Sequence, residues 1–218
     1  MADDAGLLRS LIFPRLYPIV DAGLLGLRGV GAEDFARALL EAGVTLLQYR
    51  DKAGEPQQVL QSATMIREVF AGTECGLIMN DRADLAVLAE WHGVHVGQGD
   101  LSPADARRVV GAERWIGVST HTDEQVRLAD LSCADYVAVG PVFATGTKVD
   151  AEPVIGLEGV RRARALTTKP LVAIGGITRA NARSVVDAGA DSVAVISALL
   201  VEGESVEKVA RDFLALLR

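Results

Sequence analysis

Gln48, Arg50 and Lys52 stand two residues apart in "QYRDK" (48–52). In an extended strand they share one face, while Leu47, Tyr49 and Asp51 take the other. Three large polar side chains on the inward face of a buried strand are costly unless a ligand or partner satisfies them. Arg50, Lys52 and Lys148 would make a positive focus in an otherwise acidic chain. That focus suits phosphate or diphosphate oxygens, to which arginine offers a planar fork and lysine a point charge. An internal ion-pair network with Asp81 and Asp100 competes with this reading, and the two can coexist. Asp81 can also serve simply to cap a helix starting near Arg82, whereas Ser102 is better placed than Asp100 to cap the next one. Two hard carboxylates beside a cationic pocket suit Mg²⁺, which takes one or two protein acids together with phosphate oxygens and water. The chain has no His/Cys cluster for a softer metal.

Other polar residues recur just after apolar runs. Asn80 and Asp81 follow "GLIM", Ser119 and His121 follow "RWIGV", and Thr145, Gly146, Thr147 and Lys148 follow "YVAVGPVFA". "AIGGI" (173–177) carries Gly175 and Gly176, and "VISAL" (195–199) carries Ile196 and Ser197. Glycines there would let the backbone approach an anion, and helix N-termini would offer free N–H groups. Ligand-free tight turns explain either loop alone better than both together. His92 follows a helical segment and His95 lies inside a strand, so both read as structural. His121, at a strand end, reads as a ligand contact. No Ser–His–Asp or Cys–His nucleophile arrangement is evident.

These residues need a scaffold that gathers strand ends. Eight apolar, β-rich runs alternate with amphipathic segments: "RLYPIVD", "TLLQYRD", "GLIMND", "GVHVGQ", "RWIGVST", "YVAVGPV", "PLVAIGG" and "SVAVISA". Several are nearly continuously apolar, as strands of a helix-covered parallel sheet are. Helix ends are marked by Ser102-Pro103 with Asp105. The glycines of "EAG" (41–43) and "DAG" (187–189) sit just past helix ends. Eight strand–helix pairs predict a single (β/α)8 TIM barrel over residues 1–218, with an open doubly wound sheet as the alternative. No GxGxxG follows the first strand, as the doubly wound nucleotide-binding fold would require. In the barrel, active sites form at the C-terminal strand ends, where these polar residues fall. The first dozen residues, through about residue 13, read as a short extra helix under the barrel.

Composition narrows the partners. The net charge is −7, with no basic block, which disfavours nucleic acid. The longest apolar stretch, "VAVISALLV", is too short to cross a bilayer. The "MADD" start lacks the basic residues of a secretory signal. Cys75 and Cys133 show no CxxC spacing and read as reduced thiols. A soluble cytoplasmic protein acting on small anionic molecules is expected.

Six stretches, in order, resemble the thiamine-phosphate synthase (thiamine-phosphate pyrophosphorylase) family: "QYRDK", "NDRADLA", "GVHVGQGDL", "GVSTHT", "GPVFATGTK" and "AIGGI". The resemblance runs from "LYPIVD" to "VISAL". Tyr49 departs from it, standing where an aliphatic residue is expected. The resemblance implies joining of a pyrimidine-methyl diphosphate to a thiazole phosphate, with release of pyrophosphate. It implies that Gln48, Arg50, Lys52, Asn80, Ser119 and Lys148 contact the pyrimidine diphosphate and that Asp81 and Asp100 hold Mg²⁺. Thr145, Gly146, Thr147, Gly176 and Ile196-Ser197 would bind the thiazole phosphate. A thiazole tautomerase on the same barrel, with His121 as acid–base group, and a non-catalytic phosphate-ligand sensor are the rival readings.

Overall fold

The computed structural model describes residues 13–146 and 152–218. Its eight strands are β1 (Leu16–Asp21), β2 (Leu46–Arg50), β3 (Gly76–Asn80), β4 (Gly93–Val96), β5 (Trp115–Thr120), β6 (Tyr136–Val139), β7 (Leu171–Ile174) and β8 (Ser192–Val195). All are parallel, in sequence order, and β8 pairs back onto β1. That closure excludes the open doubly wound sheet. Each strand coincides with one of the eight apolar runs.

The helices are α1 (Ala22–Arg28), α2 (Ala32–Ala42), α3 (Pro56–Val69), α4 (Ala83–Leu88), α5 (Pro103–Val110), α6 (Asp123–Leu131), α7 (Gly156–Leu166), α8 (Ala182–Asp187) and α9 (Val206–Leu216), with a 3₁₀ turn at Ser197–Leu199. The Ser102 side chain caps α5 by accepting from the Asp105 N–H at 3.1 Å. Gly43 ends α2 in a left-handed conformation. Helix α1 is additional to the helices expected. Gly23 and Gly26 give its seven residues little intrinsic preference for helix. Its N-terminus is instead fastened by Asp21, whose carboxylate accepts from the Leu24 N–H at 2.9 Å.

Alternation divides the apolar residues into two cores. Val20, Leu47, Tyr49, Met79 and Val118 face outward into the large core between sheet and helices. Tyr17, Ile19, Leu46, Ile78, Tyr136, Ala138, Val172 and Ala194 face inward and fill the barrel. Phe13 closes the bottom, its ring stacked on Trp115 with centroids 5.9 Å apart and tilted against Tyr136 at 5.2 Å. The extra helix expected over residues 1–13 otherwise lies outside the described residues. Small inward residues make room for the large ones: a Cβ on Gly117 would lie 2.0 Å from Cζ of Tyr136. Among the described residues, no helix is long and apolar enough to cross a membrane.

Candidate functional site

A cavity of about 310 Å³ opens at the C-terminal ends of the strands. The two-residue rule places its walls. Gln48 and Arg50 enter from β2, Asn80 from β3 and Ser119 from β5, all on the inward parity. His121, Thr145, Gly175, Gly176, Ile196 and Ser197 complete the expected lining. Tyr49 faces the helices, packed 6.3 Å from Trp91, so its departure from the family pattern lies away from the cavity.

The Asn80 amide nitrogen is buried and has no hydrogen-bond partner among the described residues. An orphaned donor of this kind is completed by an acceptor from water or a ligand, and Asn80, unlike the equally unpartnered Ser192 hydroxyl, lines the cavity. His121 donates from Nδ1 to the Gly140 carbonyl at 2.7 Å, because a carbonyl can only accept. Its Nε2 is the ring atom left for a ligand.

Lys52, Asp81 and Asp100 are not among the cavity's lining residues and form a separate cluster beyond the ends of β2, β3 and β4. Lys52 pairs with Asp81 and stays half exposed. Burial pushes the Asp81 carboxyl up, opposed by Lys52 and reinforced by Asp100. Burial also acts to raise Asp100, but its hydrogen bond to Asp81, the Gly97 N–H and Lys52 draw it below the usual range. The two carboxyls thus lie within hydrogen-bond reach of each other, as two oxygen ligands of one hard divalent cation would. Asp81 does not cap α4, whose N-cap is Arg82 with no side-chain bond. Its own backbone takes a left-handed φ of 62°.

Among the described residues, the expected ion-pair network is represented by the Lys52–Asp81 pair. Arg50 instead pairs with Asp21, the last residue of β1, which lies beside it in register. Asp21 was legible in principle, since it falls on the inward parity of Tyr17 and Ile19. His95 likewise lines the cavity, 7% exposed, so a purely structural reading of it is too narrow. His92 does serve structure: its Nδ1 accepts the Leu77 N–H at 3.0 Å.

The glycines after β7 have a further cause. Gly175 and Gly176 adopt φ of 103° and 63°. A Cβ on Gly176 would lie 2.5 Å from the Ala144 carbonyl oxygen, and one on Gly175 equally close to Pro141 Cβ. They let the loop after β6 pass close by, with Val142 N–H donating to the Ile174 carbonyl at 2.9 Å and Phe143 N–H to Gly175 at 3.0 Å. Thr145 is thereby carried to the cavity. Gly146 follows it without lining the cavity, and Thr147 and Lys148 lie outside the described residues.

The chain matches the family model for thiamine monophosphate synthase over residues 16–199. It belongs to that family. The matched span runs from the first residue of β1 to the 3₁₀ turn after β8, so it takes in every strand end that builds the cavity. A thiamine-phosphate synthase of Koribacter versatilis (strain Ellin345) is 54% identical over 195 residues, covering 88% of this chain and 92% of that protein. One of Chloroflexus aurantiacus (strain ATCC 29366 / DSM 635 / J-10-fl) is 43% identical over 203 residues, 93% of this chain and 92% of its own. A solved thiamine phosphate pyrophosphorylase from Pyrococcus furiosus superposes with a TM-score of 0.83 at 32% identity, covering 93% of this chain and 95% of that one. In this family member the cavity is lined by Gln48, Arg50, Asn80 and Ser119, and an acidic pair lies at its rim.

Proposed function

We propose that the protein is a thiamine-phosphate synthase, a transferase that moves a pyrimidinylmethyl group from a diphosphate to a thiazole phosphate and releases pyrophosphate. The observation that carries this reading is the orphaned, buried Asn80 amide in a cavity that also holds Arg50 and Ser119. Asn80 has an N–H to offer an anion and Arg50, though paired with Asp21, brings positive charge to it, in a chain whose relatives at up to 54% identity are named thiamine-phosphate synthase.

The substrate's carbon–oxygen bond breaks, and the diphosphate leaves with both electrons. The electron-rich aminopyrimidine carries the resulting methylene cation, and the thiazole nitrogen attacks it. The step so written requires no general base. Arg50 stabilises the departing charge, joined by Lys52 and Lys148 from the rim and the loop after β6. Asn80 and Ser119 orient the pyrimidine diphosphate, and His121 contacts it through Nε2. Gln48 fixes the pyrimidine end. Thr145, Gly146, Thr147, Gly175, Gly176, Ile196 and Ser197 hold the thiazole phosphate.

Asp81 and Asp100 fit Mg²⁺ by donor chemistry: two carboxylate ligands within hydrogen-bond reach of each other. When bound, the ion would neutralise diphosphate charge. Asp100→Asn keeps an acceptor for the Gly97 N–H, now bonded to Oδ2 at 2.8 Å, yet removes the charge. It is expected to raise the Mg²⁺ concentration for half-maximal turnover by at least about tenfold. An unchanged metal titration would remove Asp100 from the metal site.

The deciding experiment mixes both substrates with Mg²⁺ and measures pyrophosphate. Release together with thiamine phosphate supports the synthase. Folded protein that releases none, but tautomerises the thiazole, would instead make His121 an acid–base group. Binding without turnover of either kind would leave a phosphate-ligand sensor.

A further inference from the structure

Below the cavity a continuous chain of buried hydrogen bonds crosses the barrel. Gln48 Nε2 donates to the Tyr17 hydroxyl at 3.1 Å. The Tyr17 and Tyr136 hydroxyls lie 2.8 Å apart. The Tyr136 hydroxyl is 3.0 Å from His95 Nδ1, and His95 Nε2 is 2.8 Å from Ser119 Oγ.

The protons in this chain can be ordered. An amide N–H only donates, so the Tyr17 oxygen accepts from Gln48 and its single proton goes to Tyr136. The Tyr136 proton then goes to His95 Nδ1, which must present a lone pair. The imidazole therefore carries its hydrogen on Nε2 and donates it to Ser119 Oγ. Ser119 already accepts there, so its own hydrogen is left for the cavity it lines. The opposite sense would strand the Tyr17 proton in the barrel interior without an acceptor, which buried donors rarely tolerate. Burial pushes both phenols well above the usual tyrosine range, so they remain O–H donors.

We infer that Tyr17 and Tyr136 are positioning residues: they hold His95 as the Nε2–H tautomer and thereby fix Ser119 as a hydrogen-bond donor to the bound substrate. The effect on turnover rests on the synthase reading. The tautomer does not.

Tyr136→Phe keeps the ring that packs on Phe13, Tyr17 and His95 and removes the proton given to Nδ1. With three histidines in the chain, ¹⁵N spectra of the labelled imidazoles can be assigned by single substitution. The expected wild-type spectrum has His95 unprotonated at Nδ1 and protonated at Nε2, with a shift toward mixed tautomers in Tyr136→Phe. Pyrophosphate release should fall about 10- to 100-fold with little change in KM for thiazole phosphate. Adding Tyr136→Phe to Ser119→Ala should cost nothing further.

A wild-type His95 protonated at Nδ1 overturns the inference, and this measurement needs no variant to fold. So does an unchanged His95 ring in Tyr136→Phe, or losses that multiply in the double variant. If the tautomers behave as expected but the wild type releases no pyrophosphate, the synthase reading fails and the relay stands.

Discussion

Arg50→Met is expected to lower pyrophosphate release by about two to three orders of magnitude and to destabilise the fold by about 3 kcal/mol. The two losses have different origins. Turnover falls because the variant keeps the length and packing of the side chain but removes the fixed positive charge from the cavity wall. Stability falls because Arg50 is the ion-pair partner of Asp21, whose side chain is 7% exposed. A buried carboxylate deprived of its partner is far more costly than the intact pair was favourable. Asp21→Asn should separate the two. It removes the stranded charge and keeps an oxygen to accept the Leu24 N–H, so the start of α1 survives. The double variant should regain most of the lost stability by urea denaturation while turnover stays low. Recovery of turnover along with stability would mean that Arg50 acts by holding β1 and α1 in place, and would sink its role on the leaving diphosphate.

That contrast also marks what could be read in the chain. Eight strands were legible because each is an apolar run bounded by turn residues, and a parallel sheet buried on both sides requires such runs. The mouth was legible because the spacing of Gln48, Arg50 and Lys52 puts them on one face, although only the first two line the cavity. Lys52 lies beyond the end of β2, where alternation no longer governs direction, and turns to Asp81. The partner of Arg50 was legible only in part, from the inward parity of Asp21. Strand register, rather than sequence proximity, sets Asp21 beside it. Helix α1 was hidden for a related reason: its stability comes from Asp21 and tertiary packing, while its glycines argue against it. Tyr17, His95 and Tyr136 look like ordinary core residues in isolation. Only the closed barrel brings three strands' polar atoms to a common axis. Gly175 and Gly176 were read as room for an anion, and the structure adds a close pass of the preceding loop's backbone.

Gly117→Ala tests that common axis from the packing side. The residue faces inward on β5, and an added Cβ would sit 2.0 Å from Tyr136 Cζ and 2.3 Å from its hydroxyl oxygen. Tyr136 is 1% exposed and hemmed in by Phe13, Tyr17 and His95, so its ring has no free direction in which to retreat. Overpacking of this kind costs about 3 kcal/mol, the upper part of the usual range, because a rigid aromatic must move rather than a flexible chain end. The ring's displacement also draws its hydroxyl from His95 Nδ1. Folded Gly117→Ala molecules should therefore lose turnover about as much as Tyr136→Phe does. Shrinking the obstructing ring separates packing from chemistry: Gly117→Ala with Tyr136→Leu should recover part of the stability but none of the turnover. If Gly117→Ala alone unfolds at the wild-type urea midpoint, the barrel interior has slack at Tyr136. The hydroxyl could then not be held firmly enough to set the His95 tautomer.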